Sequence, residues 1–420
     1  MDGSGGGPQT QGVDVTIVMP CLNEVQCLPH CLKSAREALD RIEARLGLTG
    51  EVVIADNGST DGSQALAHKL GARVVAVSER GYGAAIRGGF AAARGRFLVM
   101  GDADGSYDFR DAVPMVAALV GGADLCMGSR FKGGIESGAM PWKNRYIGNP
   151  VLTGVLKLLF HARISDAHCG LRALTRASFE RLRLTGSGME FASEMVIKAA
   201  LKGEAIVETP VVLHPDLRDR PPHLRPWRDG WRHLRYLFML SPSWVFAVPA
   251  MIGAVVGLSI LAAAGWYVVT DARMVTFGAY WTILGAALLS LSHMAAVMGL
   301  AGQLYAEREG YRKPRPWLSK LSRLVSLETM LLSGVGAIVV GLAILLAVLL
   351  SWFARGMGPA ANVFSPVLGS LFLSLGFQNV LGGFLLSIVA GAEAQFLKAP
   401  ADPSAAGEPA QPVPDLLRAR

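Results

Sequence analysis

The sequence predicts two parts, an α/β domain on a mostly parallel sheet and then an α-helical transmembrane domain of four spans. Three observations carry this expectation. Charge is scarce: 17% of the 420 residues are charged, against about 25% in ordinary globular chains, and residues 243–420 hold only 11 basic and 8 acidic side chains. Residues 13–130 alternate short apolar runs with helical stretches, the pattern of a parallel sheet covered on both faces. Beyond residue 243, four apolar stretches are each long enough to cross roughly 30 Å of hydrocarbon.

Residues 1–12 have neither a basic stretch nor an apolar run, so a flexible tail is expected there rather than a signal peptide. Cys21, Cys27, Cys31, Cys126 and Cys169 lack CxxC spacing and a local histidine, which points to buried reduced thiols rather than a metal cluster. The positive surplus of residues 1–242 is small and scattered, which argues against a nucleic-acid partner. The α/β domain is expected over 13–213. Its buried strands are Val15–Met19, Val52–Ala55, Val74–Val77 and Phe97–Met100, with helices near 24–45, 62–70, 83–94 and 190–201.

Ligands of such sheets bind at the carboxyl ends of the strands, so the segments that follow each strand are the informative ones. They read Pro20-Cys21-Leu22-Asn23-Glu24, then Asp56-Asn57-Gly58-Ser59-Thr60-Asp61-Gly62-Ser63, then Glu79-Arg80-Gly81-Tyr82-Gly83. Asp56 can accept hydrogen bonds from a base or ribose, and Gly83 lies where small residues let backbone amides approach a phosphate. The fourth is Gly101-Asp102-Ala103-Asp104-Gly105-Ser106. Two carboxylates one residue apart at a strand end can share a hard divalent ion that bridges to a diphosphate. The same opening suggests an EF-hand, but Gly105 comes one position early and no glutamate closes the loop.

Residues 214–242 form a juxtamembrane segment in which Arg218, Arg220, Arg225, Arg228, Arg232 and Arg235 alternate with Trp227, Trp231, Tyr236, Leu237 and Phe238. After Pro226 this suits a helix lying in the membrane interface. The transmembrane domain, 243–395, has spans near 244–269, 276–302, 329–353 and 364–392, with Trp244, Trp266, Trp281 and Trp352 near their ends. The loop between the second and third spans holds Arg308, Arg312, Lys313, Arg315, Lys320 and Arg323 against Glu307 and Glu309. The positive-inside rule places that loop in the cytoplasm, and with it residues 1–242 and the tail 396–420. His293 is the clearest histidine within a span, and one residue does not make an ion pathway.

The ordered set PxxNE, DNGSTDGS, RGYGAAI, DADGSYD and GSRF, followed by SDAHCGLR and MEFASEM, resembles the family 2 glycosyltransferases of the GT-A fold. Among these it is similar to the dolichol-phosphate mannose or glucose synthases and their bacterial polyprenyl-phosphate relatives. The resemblance covers roughly residues 13–240. It implies that Pro20, Asn23, Glu24, Asp56, Asp61 and Gly83 line a nucleotide site. Asp102 and Asp104 would hold Mg²⁺ or Mn²⁺, with Ser106 standing where relatives often carry glutamine. Arg130 and Asp166 would join them in catalysis, Arg130 on phosphate. Arg145, Asn149 and Arg172 would serve the acceptor phosphate; the arginine-rich membrane edge adds Arg218 and Arg220 as further cations for it. Glu194 suits a structural or arginine-orienting role.

The expected activity is inverting transfer of mannose or glucose from GDP-mannose or UDP-glucose to dolichyl or undecaprenyl phosphate, at the cytoplasmic membrane face. A bacterial inner membrane fits the Ala/Gly/Arg-rich composition better than an endoplasmic reticulum, and a homo-oligomer is allowed. The alternatives are a polysaccharide synthase, for which no QxxRW element occurs, a glycolipid synthase whose hydroxyl acceptor would demand a general base, and a membrane scaffold with a nucleotide-binding pseudo-transferase domain.

Overall fold

The computed structural model describes residues 12–162, 164–219, 226–270, 279–310, 325–358 and 362–391. Most of the expected 1–12 tail, Arg220, Arg225, the Trp227 side chain, the loop residues Arg312, Lys313, Arg315, Lys320 and Arg323, and the 396–420 tail lie outside them.

The chain divides into two compact units, one through Val245 and one from Phe246 onward, with a short piece of the loop near 309 joining the first. In the first unit the four expected strands form as β1 (Val15–Cys21), β2 (Gly50–Asp56), β3 (Arg73–Ala76) and β4 (Phe97–Met100). Four more complete the sheet: β5 (Leu125–Ser129), β6 (Gly134–Ile135), β7 (Arg172–Thr175) and β8 (Ile206–Leu213). Their order is β3-β2-β1-β4-β7-β5-β8-β6. The sheet is mixed because β7 runs antiparallel to both β4 and β5, while every other pair is parallel.

Side chains on a strand point alternately to its two faces, which separates the core into two layers. Ile17, Met19, Ile54 and Val99 pack on one face under helix α1 (Leu28–Leu46) and α4 (Ala112–Val120). Val18, Val53, Leu98 and Met127 pack on the other, under α3 (Tyr82–Ala92), α6 (Asn149–Phe160) and α8 (Phe191–Lys202). The shorter helices α2 (Ser63–Lys69), α5 (Arg130–Gly133) and α7 (Arg176–Leu182) bridge strands, and α9 (Pro226–Met239) seats Leu237 in the second layer. Helix α1 starts later than the sequence pattern suggests, because Glu24 O accepts from Cys27 N and Leu28 N in a turn and Pro29 suits the first helical turn. All five cysteines are free and buried.

Register aligns the strand ends. Cys21 sits opposite Asp56, Asp56 opposite Ala76, and Val18 opposite Met100. The loops after β1, β2, β3 and β4 therefore emerge along one edge.

In the second unit the four apolar helices are α10 (Ser243–Thr270), α11 (Ala279–Arg308), α12 (Leu327–Ala354) and α13 (Phe364–Val389). At 1.5 Å per residue each spans roughly 40 Å, enough to cross a bilayer. Helix α11 runs past the expected end at 302 to Arg308, and Gln303 Nε2 donates to Glu307 Oε1 one turn on at 2.7 Å. Apolar side chains have no water to escape inside lipid, so close backbone packing takes over. A Cβ at Gly376 would lie 2.7 Å from Gly334 O, and one at Gly341 would lie 2.8 Å from Gly369 O. A polar seam joins α11 to α13: Gln378 Nε2 donates to Ser290 Oγ at 2.8 Å and to Ser374 Oγ at 3.1 Å, and Gln378 Oε1 lies 3.1 Å from His293 Nδ1.

Candidate active site

The strand-end loops surround a cavity of about 910 Å³. Of the residues singled out from sequence, Pro20, Glu24, Asp102, Asp104, Ser106, Arg130, Asn149, Arg172 and Arg218 line it. Asn23, Asp56, Asp61, Gly83, Arg145 and Asp166 are not among its lining residues.

Those behind the wall hold its loops in place. Asn23, at φ +60°, donates its backbone N–H to Ser59 Oγ and accepts Thr60 N–H on Oδ1 at 2.8 Å. Asp61 accepts Val25 N–H at 3.0 Å. Asp56 accepts from Gly58 N, Ser59 N and Gln64 Nε2, so its carboxylate is satisfied inside its own turn. Gly83 leaves room not for an open phosphate cradle but for protein: a Cβ there would meet Gly186 O at 2.5 Å and Phe191 Cβ at 2.6 Å. That loop is tied down by buried Glu194, which accepts Thr185 N–H and Gly186 N–H and pairs with Lys198 at 2.6 Å.

Asp102 and Asp104 stand where β4 ends. Burial, and then the neighbouring Asp104 charge, push the Asp102 carboxyl well above the usual carboxylate range. Asp104 accepts Ser106 N–H at 2.9 Å and Ser106 O–H at 2.6 Å on Oδ1, so the serine hydroxyl is committed to the acid itself. Gly170 presses onto Asp102, where a Cβ would lie 2.4 Å from Oδ2. Tyr107 Oη accepts Gly170 N–H at 2.9 Å and steadies that approach.

Arg130 and Asp166 form one unit. The guanidinium donates through Nε at 2.6 Å and Nη2 at 2.8 Å, and the Arg130 backbone N–H adds a third bond to the same carboxylate. Burial alone would raise Asp166, but the guanidinium holds it below the usual range. Arg172 is fully buried and gives its donors to three backbone carbonyls, Cys169 O, Ala192 O and Ala167 O. Arg145 lies 5.5 Å over the ring of its neighbour Tyr146. Asn149 Nδ2 contacts Met140 Sδ at 3.4 Å.

Sequence reasoning missed several lining residues. Asn57 donates to Val77 O and Glu79 O and accepts Gly81 N–H, which shapes the loop after β3. Tyr82, Tyr107, His168 and His233 also line the cavity. His168 and His233 stack edge-on with centroids 5.0 Å apart, and Ser193 Oγ lies 2.8 Å from His233 Nδ1. Burial, and then His233, bring His168 down to about 3, so it is neutral at ordinary pH. None of these contacts has a local spacing signature.

Known proteins resemble this chain over both of its parts. Residues 16–183 match the family described as glycosyl transferase family 2, and residues 300–390 match the glycosyltransferase family 2 C-terminal transmembrane region. The low-salt glycan biosynthesis hexosyltransferase Agl6 of Haloferax volcanii is 33% identical over 374 residues, covering 89% of this chain and 88% of its own. A dolichyl-phosphate hexose transferase of the same organism is 30% identical, covering 47% and 82%. The polyprenol monophosphomannose synthase of Mycolicibacterium smegmatis is 29% identical, covering 46% and 75%. A likeness that runs through most of two chains is kinship, and this chain therefore belongs to glycosyltransferase family 2: it is a membrane glycosyltransferase with a GT-A domain and a C-terminal transmembrane region.

Proposed function

We propose that the chain transfers one hexose, mannose or glucose, from GDP-mannose or UDP-glucose to dolichyl or undecaprenyl phosphate at the cytoplasmic face of a membrane, a bacterial inner membrane in preference to the endoplasmic reticulum. Residues 13–213 are the catalytic domain, 214–242 the juxtamembrane segment and 243–395 the anchor. The observation that carries the reading is the Asp102–Asp104 pair in a cavity that also presents Arg130 and Arg218.

The acid pair fits Mg²⁺ or Mn²⁺. Among the described residues no group of three or more His, Cys, Asp or Glu converges on one point. Two carboxylates suit an ion that keeps waters and takes its other oxygens from substrate phosphates. Burial first, and then the Asp104 charge, raise the Asp102 carboxyl, and a dication held between the two acids would favour their charged forms. Bound there, the ion would supply charge neutralisation to the departing diphosphate.

The protein's own groups do the rest. Pro20 and Glu24 face the nucleotide, with Asn23, Asp56, Asp61 and Gly83 fixing the loops behind them. Arg130, oriented by Asp166, and Asn149 face the acceptor phosphate. An acceptor phosphate is already an anion, so its oxygen attacks C1 without a base. The C1–O bond to the diphosphate breaks, and the anomeric centre inverts. Asp166, committed to Arg130, does not need to accept a proton.

The test is a donor screen with the purified full-length protein and undecaprenyl phosphate, with products read by mass. The expected product is a hexosyl phosphate lipid, lost in Asp104→Asn while the fold persists. Sugar appearing on a lipid hydroxyl, or full transfer in the presence of chelator, would overturn the reading.

A further inference from the structure

Arg218 lines the cavity, but its guanidinium is already engaged there by carboxylates. Its Nη2 lies 2.5 Å from Asp104 Oδ2 and 3.4 Å from Asp216 Oδ2, and its Nη1 lies 3.4 Å from Glu24 Oε1. The side chain is 13% exposed and Asp104 is 12% exposed, so the pair is only weakly screened. A single guanidinium thus serves the acid edge of the cavity. The seat is imperfect, because among the described residues the buried Arg218 Nε meets no acceptor, and an unmade buried hydrogen bond costs free energy. The backbone that carries Arg218 is fastened to the same acid loop. His214 N–H donates to Ser106 O at 3.0 Å, Leu217 N–H donates to Asp104 O at 2.9 Å, and the Leu217 side chain covers Gly105.

From this geometry we infer that Arg218 is an exchangeable counter-ion: it neutralises Asp104 in the unloaded protein and competes with the divalent ion for that carboxylate. The inference rests on the metal assignment above and deepens it. Both cations would draw on the Asp104 carboxylate, so occupancy by one would raise the free energy of the other. By linkage, the ion must weaken the Arg218–Asp104 contact as much as that contact opposes the ion, and the 214–219 strap that carries Arg218 loosens with it. A guanidinium released at the cavity wall is then free to meet phosphate oxygens. Arg218 sets the affinity for the ion rather than serving only as a fixed phosphate ligand.

The experiment titrates the full chain in detergent with Mn²⁺ alone, read by electron paramagnetic resonance of the free ion, without nucleotide or lipid. Arg218→Gln should bind Mn²⁺ at least about tenfold more tightly than wild type, a difference of about 1.4 kcal/mol, and Arg218→Lys should fall between. Equal or weaker binding by Arg218→Gln, or no Mn²⁺ binding by either protein, overturns the proposal. A second measurement needs no variant. Saturating Mn²⁺ should speed hydrogen exchange of the Leu217 amide in wild type at least about threefold, on the scale of local opening, and unchanged or slower exchange with the ion bound overturns the proposal. Neither readout uses sugar or lipid, so failure of the transfer assay is distinguishable from failure here.

Discussion

Replacing Asp166 with asparagine tests the unit formed with Arg130. Asp166 is 0% exposed and Arg130 8% exposed, and three hydrogen bonds from Arg130 plus His168 N–H end on the one carboxylate. Asparagine keeps the shape but turns an amide toward the guanidinium and leaves a buried cation without its counter-charge. Breaking a buried pair from one side costs about 3–5 kcal/mol. For a unit of this size a kilocalorie moves the melting temperature by about 2–4 °C, so the first transition should fall by roughly 6–20 °C. The assay is a thermal melt of the full chain in detergent, followed by tryptophan fluorescence. Arg130→Met with Asp166→Leu should melt closer to wild type than Asp166→Asn, because it leaves no orphan charge. Since the folded Asp166 is held below its unfolded range near 3.9, its contribution is complete above that value and is lost as pH falls through the lower folded pKa. The difference between wild type and Asp166→Asn should therefore be constant from pH 5 to 8. An Asp166→Asn protein that melts within about 1 °C of wild type yet loses transfer would refute the positioning role and return Asp166 to a base.

Other expectations follow from the same contacts. Gly170→Ala places a methyl 2.4 Å from Asp102 Oδ2 and 2.8 Å from Tyr107 Cε2, so Mn²⁺ affinity should drop about tenfold or more in the titration above. Glu194→Gln removes the carboxylate from buried Lys198 and loosens Thr185 and Gly186. It should lower the melt by a margin similar to Asp166→Asn and weaken nucleoside diphosphate binding in calorimetry, because that loop packs on Gly81 and Gly83. Gly376→Leu drives a side chain into Gly334 O and Ile338, so α12 and α13 should separate and the chain should become protease-sensitive within residues 327–389. Mn²⁺ binding by the first unit should survive that change.

Much of the architecture was legible in the sequence, for a local reason. The β4 run Phe97–Met100 is apolar throughout and buried on both faces, and the four spans show themselves by length. The antiparallel β7 was not legible, since its four residues carry no pattern that reports strand direction. The order of strand-end motifs marked the site's edge, but not which of their side chains face inward. Asp56 and Asp61 look like ligands in a linear reading, yet aspartates in turns also satisfy their own backbone, and here they do.

The sequence alone therefore determined the two-part plan, the first four strands and the position of the acid pair, because hydrophobic period and turn chemistry act over a few residues. Only the tertiary structure decided the partners of the charges. Asp166 meets Arg130 across 36 positions, and Asp104 meets Arg218 across 114. A buried ion must find its counter-charge wherever the closed fold brings one, and sequence spacing carries no record of that meeting.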